Sequence, residues 1–299
     1  MAEGIARFLT PQELQRLGRL VLQSRYVVEG TLAGRHRSPL KGASSEFAEH
    51  RAYRPGDDPK HLDWKVLGRT DRYYVRRYED ETNLRVYLVV DRSASMRYTS
   101  HTGTKYEYAC RLAAAIGYVV VKARDSVGLY LYAENMDGVM GARNSFAHLN
   151  NALKFLHQQP PAAGTNTAQT LHRIADDIRR RALLVLFSDL LDEPEPVIKA
   201  LAHFRKQHHD VIIFQTLDPA ELTFPFRQGG EFVDLETGER VVTEPRAVRA
   251  EYRRVLGEFL GRYRQACNDL KIDYRIADTS QPLERFVREY LEQRKKYTM

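Results

Sequence analysis

Three oxygen-bearing side chains directly follow one short apolar run. Residues 86–90 are apolar and mostly β-branched, which is typical of a strand buried on both faces. Asp91, Ser93 and Ser95 come next, at the carboxyl end of that strand, where ligands bind in open α/β sheets. A carboxylate and two hydroxyls are hard oxygen donors that suit Mg²⁺, Mn²⁺ or Ca²⁺ better than zinc. The same residue types cap helices, so capping and metal binding are equally good interpretations of this triplet taken alone.

Two more polar residues stand at element boundaries later in the chain. Thr165 lies where a helix is predicted to begin, and Asp189 ends the apolar run 183–188. Taken singly, Thr165 reads as a helix N-cap and Asp189 as a turn or cap residue. Strand ends and the loops after them collect along one edge of a doubly wound sheet. The combination with Asp91, Ser93 and Ser95 therefore favours one shared site over unrelated caps.

The alternation of strands and helices after residue 84 predicts the sheet that positions these side chains. The predicted strands are 86–91, 127–132, 182–188, 211–216 and 273–277. The predicted helices are 105–123, 146–157, 165–180, 195–207, 245–270 and 282–297. Residues 136–140 are read as irregular. This order predicts an α/β fold with a doubly wound, mostly parallel, Rossmann-type sheet.

Two parts of the chain fall outside that alternation. Residues 1–83 are predicted to be an N-terminal helix/strand extension packed on the main domain, which spans 84–299. The extension contains a predicted amphipathic helix at 10–23 and the only tryptophan, Trp64, which we expect to anchor it. A β-hairpin insertion is predicted at about 221–245, turning at Thr237-Gly238 and covering a sheet edge. For residues 44–81, docking on the main domain and contact with a partner are equally good interpretations.

Two sets of residues carry a resemblance to known families. Asp91-Arg-Ser-Ala-Ser95, with Gly164-Thr165-Asn-Thr and Ser188-Asp189, resembles the metal-ion-dependent adhesion site (MIDAS) of the von Willebrand factor A domain. The rest of the chain resembles the family catalogued as domain of unknown function 58, through the runs at 45–58, 62–65, 217–222 and 236–239. The resemblance covers nearly the whole chain and implies a von Willebrand factor A-like fold. One departure is Leu190, where a glycine often follows the loop aspartate.

The resemblance also implies a role for each candidate site residue. Ser93 and Ser95 would be direct hydroxyl ligands, and Thr165 would bind directly or through water. Asp91 and Asp189 would act chiefly through water. The bound ion would be Mg²⁺, with Mn²⁺ or Ca²⁺ as alternatives. Because its direct protein ligands are mostly neutral, the ion would stay electrophilic until an Asp or Glu of a partner completed its shell.

The implied function is that of a non-catalytic protein-interaction adaptor. Related proteins are linked with MoxR-type AAA+ ATPases, so we expect such an ATPase, or a client protein presenting an acidic residue, as the partner. The chain has neither a Gly-x-x-x-x-Gly-Lys-Ser/Thr nor a Gly-x-Gly-x-x-Gly motif of its own. The alternative is a metal-dependent phosphoryl hydrolase with Asp91 as nucleophile. Haloacid-dehalogenase-like phosphatases carry an acid/base aspartate where this chain has Ser93, which disfavours that alternative.

Composition and charge bear on the remaining classes of function. The formal net charge of +7 and pI near 9.3 make nucleic-acid binding a further alternative. However, the compact basic runs, 179–181 and 294–296, fall at predicted helix ends, where cations complement the helix dipole. Two cysteines do not make a disulfide framework, and no apolar run approaches bilayer-spanning length. We therefore expect a cytoplasmic protein that neither binds nucleic acid nor spans a membrane.

Overall fold

A computed structural model of the 299-residue chain describes residues 3–18, 46–53, 62–79, 84–162, 164 and 166–296. The chain forms two compact units, one of residues 1–32 with 84–299 and one of residues 33–83. We call them the main unit and the small unit.

The helices and strands are numbered here in chain order. The described helices are α1 (Glu3–Phe8), α2 (11–18), α3 (Trp64–Thr70), α4 (Lys105–Lys122), α5 (Phe146–Gln158), α6 (Thr167–Asp177), α7 (Pro194–Lys206), α8 (Pro219–Thr223), α9 (Pro245–Asp269) and α10 (Leu283–Lys296). The described strands are β1 (Glu46–Ala52), β2 (Tyr74–Glu79), β3 (Arg85–Asp91), β4 (Ser126–Tyr132), β5 (Met136–Arg143), β6 (Leu183–Ser188), β7 (Asp210–Leu217), β8 (Gly230–Val233), β9 (Arg240–Thr243) and β10 (Asp273–Asp278).

A six-stranded sheet forms the centre of the main unit, in the order β10-β7-β6-β3-β4-β5. All neighbouring pairs are parallel except β4 and β5. From β3 the chain adds strands toward one edge of the sheet, through β4 and β5. It then returns to the other side of β3 and adds β6, β7 and β10 toward the opposite edge. This is the order of doubly wound folds, and its switch point lies between β3 and β6. The predicted fold class is confirmed.

Both faces of this sheet are buried, because side chains on a strand alternate between two cores. Val86, Leu88 and Val90 of β3 pack in a core with α4, α5 and α10, which the helices in residues 3–18 extend. Val89 packs in the other core with α6, α7 and α9. Each such side chain contributes about 1.5–3 kcal/mol when fully buried. The two cores hold β3 and β6 rigidly side by side, and the candidate site lies at their carboxyl ends.

The prediction that residues 136–140 are irregular is wrong. They lie in β5, which pairs antiparallel with β4 at the edge of the sheet. Exposure along β5 alternates from residue to residue, the period of a strand. Gly138 obscures the pattern in the sequence, and the fold requires it because a Cβ there would collide with the ring of Phe155.

The small unit contains an antiparallel pair, β1 and β2, and the short helix α3. Asp63 is the N-cap of α3, and its side chain accepts hydrogen bonds from the backbone N–H groups of Lys65 and Val66 at 3.0 and 3.3 Å. Trp64, which we expected to anchor this segment, is 64% exposed. The predicted helix 10–23 is described over residues 11–18 and belongs to the main unit, whereas we had grouped it with the extension.

The predicted hairpin is present as β8 and β9, which pair with each other. The edge strands of the large sheet are β10 and β5, and among the described residues the hairpin pairs with neither. The hairpin therefore does not extend the sheet by strand pairing, and the expectation that it covers a sheet edge stays a prediction. Its tip lies beside the loops that follow β3 and β6. Within the described part of the chain, the helices are all too short or too polar to traverse a bilayer.

Candidate functional site

Asp91 and Asp189 lie side by side because of the switch in strand order. Asp91 is the last residue of β3, and Asp189 directly follows β6. The two strands are parallel neighbours, with Val90 opposite Phe187. Their carboxyl ends therefore meet at the point where ligands bind in doubly wound sheets.

Asp91 is held rigidly beneath this point and is 1% exposed. Its Oδ1 accepts a hydrogen bond from the Ser93 N–H at 2.8 Å. Its Oδ2 accepts one from the Ser188 hydroxyl at 2.6 Å and a longer one from the Tyr132 hydroxyl at 3.3 Å. Burial, and then the negative charge of nearby Asp189, raise the pKa of Asp91 to about 7. A second negative charge so close makes this position favourable for a cation.

The loop after β3 brings two hydroxyls together. The Oγ atoms of Ser93 and Ser95 are 3.0 Å apart, on a 3₁₀ turn spanning Ala94–Arg97. The Ser93 side chain makes no capping hydrogen bond to that turn. Helix α4 is instead capped by Thr104, in a capping box with Glu107. The expectation that Asp91, Ser93 and Ser95 cap the following helix is therefore wrong, and the two serine hydroxyls are bonded to each other instead.

The loop before α6, which carries the predicted ligand Thr165, is described only in part, because Thr165 lies outside the described residues. Helix α6 begins at Thr167 rather than at 165 and ends at Asp177 rather than 180. Its N-cap is Asn166, whose side chain accepts from the Gln169 N–H at 3.4 Å. Asn166 is thus the cap of α6, and the predicted role of Thr165 as a metal ligand stays a prediction.

Asp189 is paired with a buried lysine that the sequence analysis did not single out. Lys105, the first residue of α4, is 0% exposed, and its Nζ lies 2.7 Å from Asp189 Oδ2 and 2.6 Å from Glu221 Oε1. Burial opposes the positive charge, but the two carboxylates outweigh it and raise the pKa of Lys105 above its ordinary value. A signal existed in the sequence, since a cation at a helix N-terminus opposes the helix dipole and needs a compensating anion.

Leu190, in the loop after β6, adopts the backbone conformation of the glycine that is common at this position. Its φ is +52°, in the left-handed region, and its side chain is fully buried. Its N–H donates to the Ser188 hydroxyl at 2.9 Å. The loop therefore adopts the conformation that favours glycine, and the buried leucine side chain offsets the backbone cost.

A cavity of about 230 Å³ opens above these loops, and Ser95 and Asp189 share its wall. Among the described residues, ten line the cavity and none of them is a lysine or arginine. Five of the ten are acidic: Asp189, Asp192, Glu221, Asp234 and Glu236. Lys105 compensates part of this charge from below, through Asp189 and Glu221. The cavity is strongly negative, which favours a cation and disfavours an anion that enters alone.

One acidic side chain comes from the tip of the hairpin. The Glu236 carboxylate accepts a hydrogen bond from the Ser95 N–H at 2.7 Å through Oε1. Its Oε2 accepts one from the Gly164 N–H at 3.1 Å. Glu236 thus bridges two of the loops that carry the predicted metal ligands. Sequence reasoning missed it, because the two contacts span 141 and 72 residues and leave no local pattern.

The donor set bears on whether a metal fits. Among the described residues, no three or more His, Cys, Asp and Glu side chains are grouped so that they could hold a metal ion. A metal here would depend on hydroxyl oxygens, as in the predicted arrangement. The Ser93–Ser95 hydroxyl pair beside the buried Asp91 and Asp189 provides hard oxygen donors in an acidic setting, which fits Mg²⁺.

The family model for "Protein of unknown function DUF58" matches residues 49–258, more than half of the chain. The chain belongs to this family. It is also 29% identical over 233 residues to Uncharacterized protein Rv1480 of Mycobacterium tuberculosis and to Uncharacterized protein Mb1516 of Mycobacterium bovis. Each alignment covers 76% of this chain and 72% of the relative. The predicted family membership is confirmed.

Three solved structures are similar to parts of this chain. An aerotolerance-related membrane protein from Bacteroides fragilis, with multiple mutations to serines, is 15% identical, covers 70% of this chain and 99% of its own, and has a TM-score of 0.47. BatB from Bacteroides thetaiotaomicron is 14% identical, covers 71% and 99%, and has a TM-score of 0.45. The SpRpn10 VWA domain is 15% identical, covers 44% and 75%, and has a TM-score of 0.36. At this level of similarity they carry no information on what this chain binds.

Proposed function

We propose that this DUF58 chain is a non-catalytic protein-interaction adaptor that binds an acidic side chain of its partner through a divalent cation. The cation, Mg²⁺ in the first instance, would be held by the hydroxyls of Ser93, Ser95 and Thr165. Asp91 and Asp189 would support it from behind, chiefly through water. The ion supplies a positive charge that the partner's carboxylate completes.

The observation that carries this proposal is the meeting of two loops at the switch point of the sheet, around an acidic cavity. The hydroxyls of Ser93 and Ser95 are not used as helix caps, and Asp91 is fixed behind them by three hydrogen bonds. A cation would offset the repulsion that a partner's carboxylate meets in a cavity lined by five acidic residues. The same acidity opposes binding of nucleic-acid phosphates at this site.

In this proposal the residues around the cation have different roles. Asp91 orients the loop after β3, since its Oδ1 holds the Ser93 N–H. Lys105 binds Oδ2 of Asp189, and among the described residues Oδ1 accepts one hydrogen bond, from the Leu191 N–H at 3.3 Å. These contacts preorganise the loops, so that little ordering is needed when a partner binds.

The alternative of a phosphoryl hydrolase fits the geometry less well. A nucleophilic Asp91 would have to reach a phosphorus atom, but it is buried and both of its oxygens accept hydrogen bonds. The residue two positions later is a serine, which does not transfer protons as a carboxylate does. Mg²⁺-dependent turnover of a phosphoester that Asp91→Asn abolishes would support this alternative over the adaptor.

The partner in the proposal is a MoxR-type AAA+ ATPase or a client protein that presents an Asp or Glu. The test is affinity capture from a cell extract with the wild-type chain, in Mg²⁺ and in EDTA. Asp91→Asn is the test variant. Asp176→Asn, an exposed aspartate near the far end of α6, is the matched control.

Capture of an AAA+ ATPase in Mg²⁺, lost in EDTA and with Asp91→Asn but kept with Asp176→Asn, is the expected result. Capture that ignores both the chelator and Asp91→Asn would rule out bridging through a cation.

A further inference from the structure

Glu236 holds an unusual position for a residue at the tip of a surface hairpin. Residues 235–237 form the turn between β8 and β9, and the Glu236 carboxylate is half-buried against the loops after β3 and before α6. Its two oxygens accept from two backbone N–H groups, of Ser95 and of Gly164. A carboxylate therefore already lies against two of the loops that would hold the cation.

The hairpin is fixed at its base and only lightly attached at its tip. At the base, the ring of Phe232 stacks on that of Phe224 at 5.6 Å and packs edge-on against Phe226 at 5.2 Å. In the part of the chain that the structure describes, every hydrogen bond between residues 230–243 and the remainder of the chain is made to Glu236. Release of one carboxylate would therefore free the tip while the base stayed in place.

The charge around Glu236 makes this attachment replaceable. Asp189 and Glu221 line the same cavity as Glu236, and like charges in one cavity repel each other. Two hydrogen bonds from backbone N–H groups hold Glu236 against that repulsion. An acid group brought by another protein would meet the same two N–H groups and the same repulsion, so the two carboxylates compete for one position.

We propose that Glu236 is an internal occupant of the site, and that the external ligand is an acidic peptide segment that displaces the hairpin tip. This inference rests on the proposed function. The tip also indicates what precedes the acid in the ligand. Leu235, directly before Glu236, lines the cavity and is 44% exposed, so an apolar residue before the acid group fits the same place.

The test uses a synthetic peptide that copies residues 230–240 and carries a fluorophore, with binding followed by fluorescence anisotropy in Mg²⁺. Glu236→Ala removes the internal carboxylate from the full chain. Glu239→Ala makes the same change three residues later in the same hairpin, where the side chain is exposed.

Since a site occupied most of the time by its own hairpin binds an external ligand correspondingly more weakly, Glu236→Ala is expected to bind the peptide at least about tenfold more tightly than wild type. Glu239→Ala is expected to match wild type. A peptide in which the residue copied from Glu236 is glutamine is expected not to bind.

A second readout does not depend on any ligand or metal. In the wild-type chain the N–H groups of Ser95 and Gly164 are bonded to Glu236, so their hydrogen exchange is expected to be at least about tenfold faster in Glu236→Ala. The Ser93 N–H, bonded to Asp91 at 2.8 Å, is the internal control and is expected to keep its rate.

The possible results separate this inference from the proposed function. Equal exchange at Ser95 and Gly164 in wild type and Glu236→Ala would overturn the inference, whatever the site binds. Peptide binding that requires Mg²⁺ but is equal in the two proteins would also overturn it and leave the cation bridge intact. Faster exchange in Glu236→Ala without any peptide binding would overturn the acidic-segment ligand and would count against the bridge itself.

Discussion

Replacing Lys105 by methionine tests how the site is held together before anything binds. The Lys105 Nζ is fully buried and lies 2.7 Å from Asp189 and 2.6 Å from Glu221, whose side chains are 3% and 17% exposed. Methionine keeps most of the volume but leaves both carboxylates without their cation. Removing one member of a buried ion pair costs about 3–5 kcal/mol of unfolding free energy. For a unit of this size, that lowers the midpoint of thermal unfolding by roughly 10 °C.

The assay is thermal unfolding followed by far-UV circular dichroism. Tryptophan fluorescence is unsuitable, because the only tryptophan, Trp64, lies in the small unit and does not report on the main one. Lys122→Met is the matched control at the other end of α4, where the side chain is exposed, and about 0.5 kcal/mol or less is expected.

The cation proposed for the site adds a second expectation. In Lys105→Met, Mg²⁺ is expected to raise the midpoint more than in wild type, because the uncompensated carboxylates attract it more strongly. Adding Glu221→Gln to Lys105→Met is expected to recover part of the loss, since it removes one uncompensated charge. Equal midpoints for Lys105→Met and Lys122→Met would refute the view that Lys105 holds the two carboxylates.

Three further predictions address the packing around the site. Leu190→Gly relieves about 1 kcal/mol of strain in the left-handed backbone but removes a buried leucine side chain worth about 2–5 kcal/mol. Denaturant unfolding is therefore expected to show a net loss of about 2 kcal/mol of unfolding free energy. A gain in unfolding free energy would show that the strain dominates. Gly128→Ala would place a Cβ 2.6 Å from the ring of Tyr87 on β3 and is expected to lose about 1–3 kcal/mol of unfolding free energy, whereas Gly141→Ala on β5 meets open space and is expected to lose less; equal losses would contradict the pairing of β3 and β4. Burial raises the pKa of the Cys110 and Cys267 thiols to about 12, so both are expected to stay protonated at pH 8 and to react with a thiol reagent only after unfolding; fast labelling of the native chain would contradict this burial.

The parts of the fold that follow local rules could be predicted from the sequence. Four strands of the large sheet, β3, β4, β6 and β7, contain short apolar runs, and their order with intervening helices leaves few possible topologies. Residues 86–90 and 183–188 are buried on both faces, as their uniform apolar character indicates. Strand β5 was missed because it is exposed on one side and because glycines break its alternation.

The candidate site was predictable only where it depends on strand ends. Asp91 and Asp189 follow apolar strands, so the edge rule for doubly wound sheets places them together. The partners of Lys105 and Glu236 do not follow from any local pattern. The first reaches Asp189 across 84 residues, and the second reaches Ser95 across 141. Both contacts depend on the packing of the whole main unit, which periodicity and motif spacing do not encode.

Direct titration of Mg²⁺ into the full chain, followed by isothermal titration calorimetry, tests the central claim that these loops hold a cation. We expect a single ion to bind wild type, and binding to be lost in Ser93→Ala and Ser95→Ala and kept in Asp176→Asn. Absence of binding to wild type, or binding that survives both serine substitutions, would contradict the account.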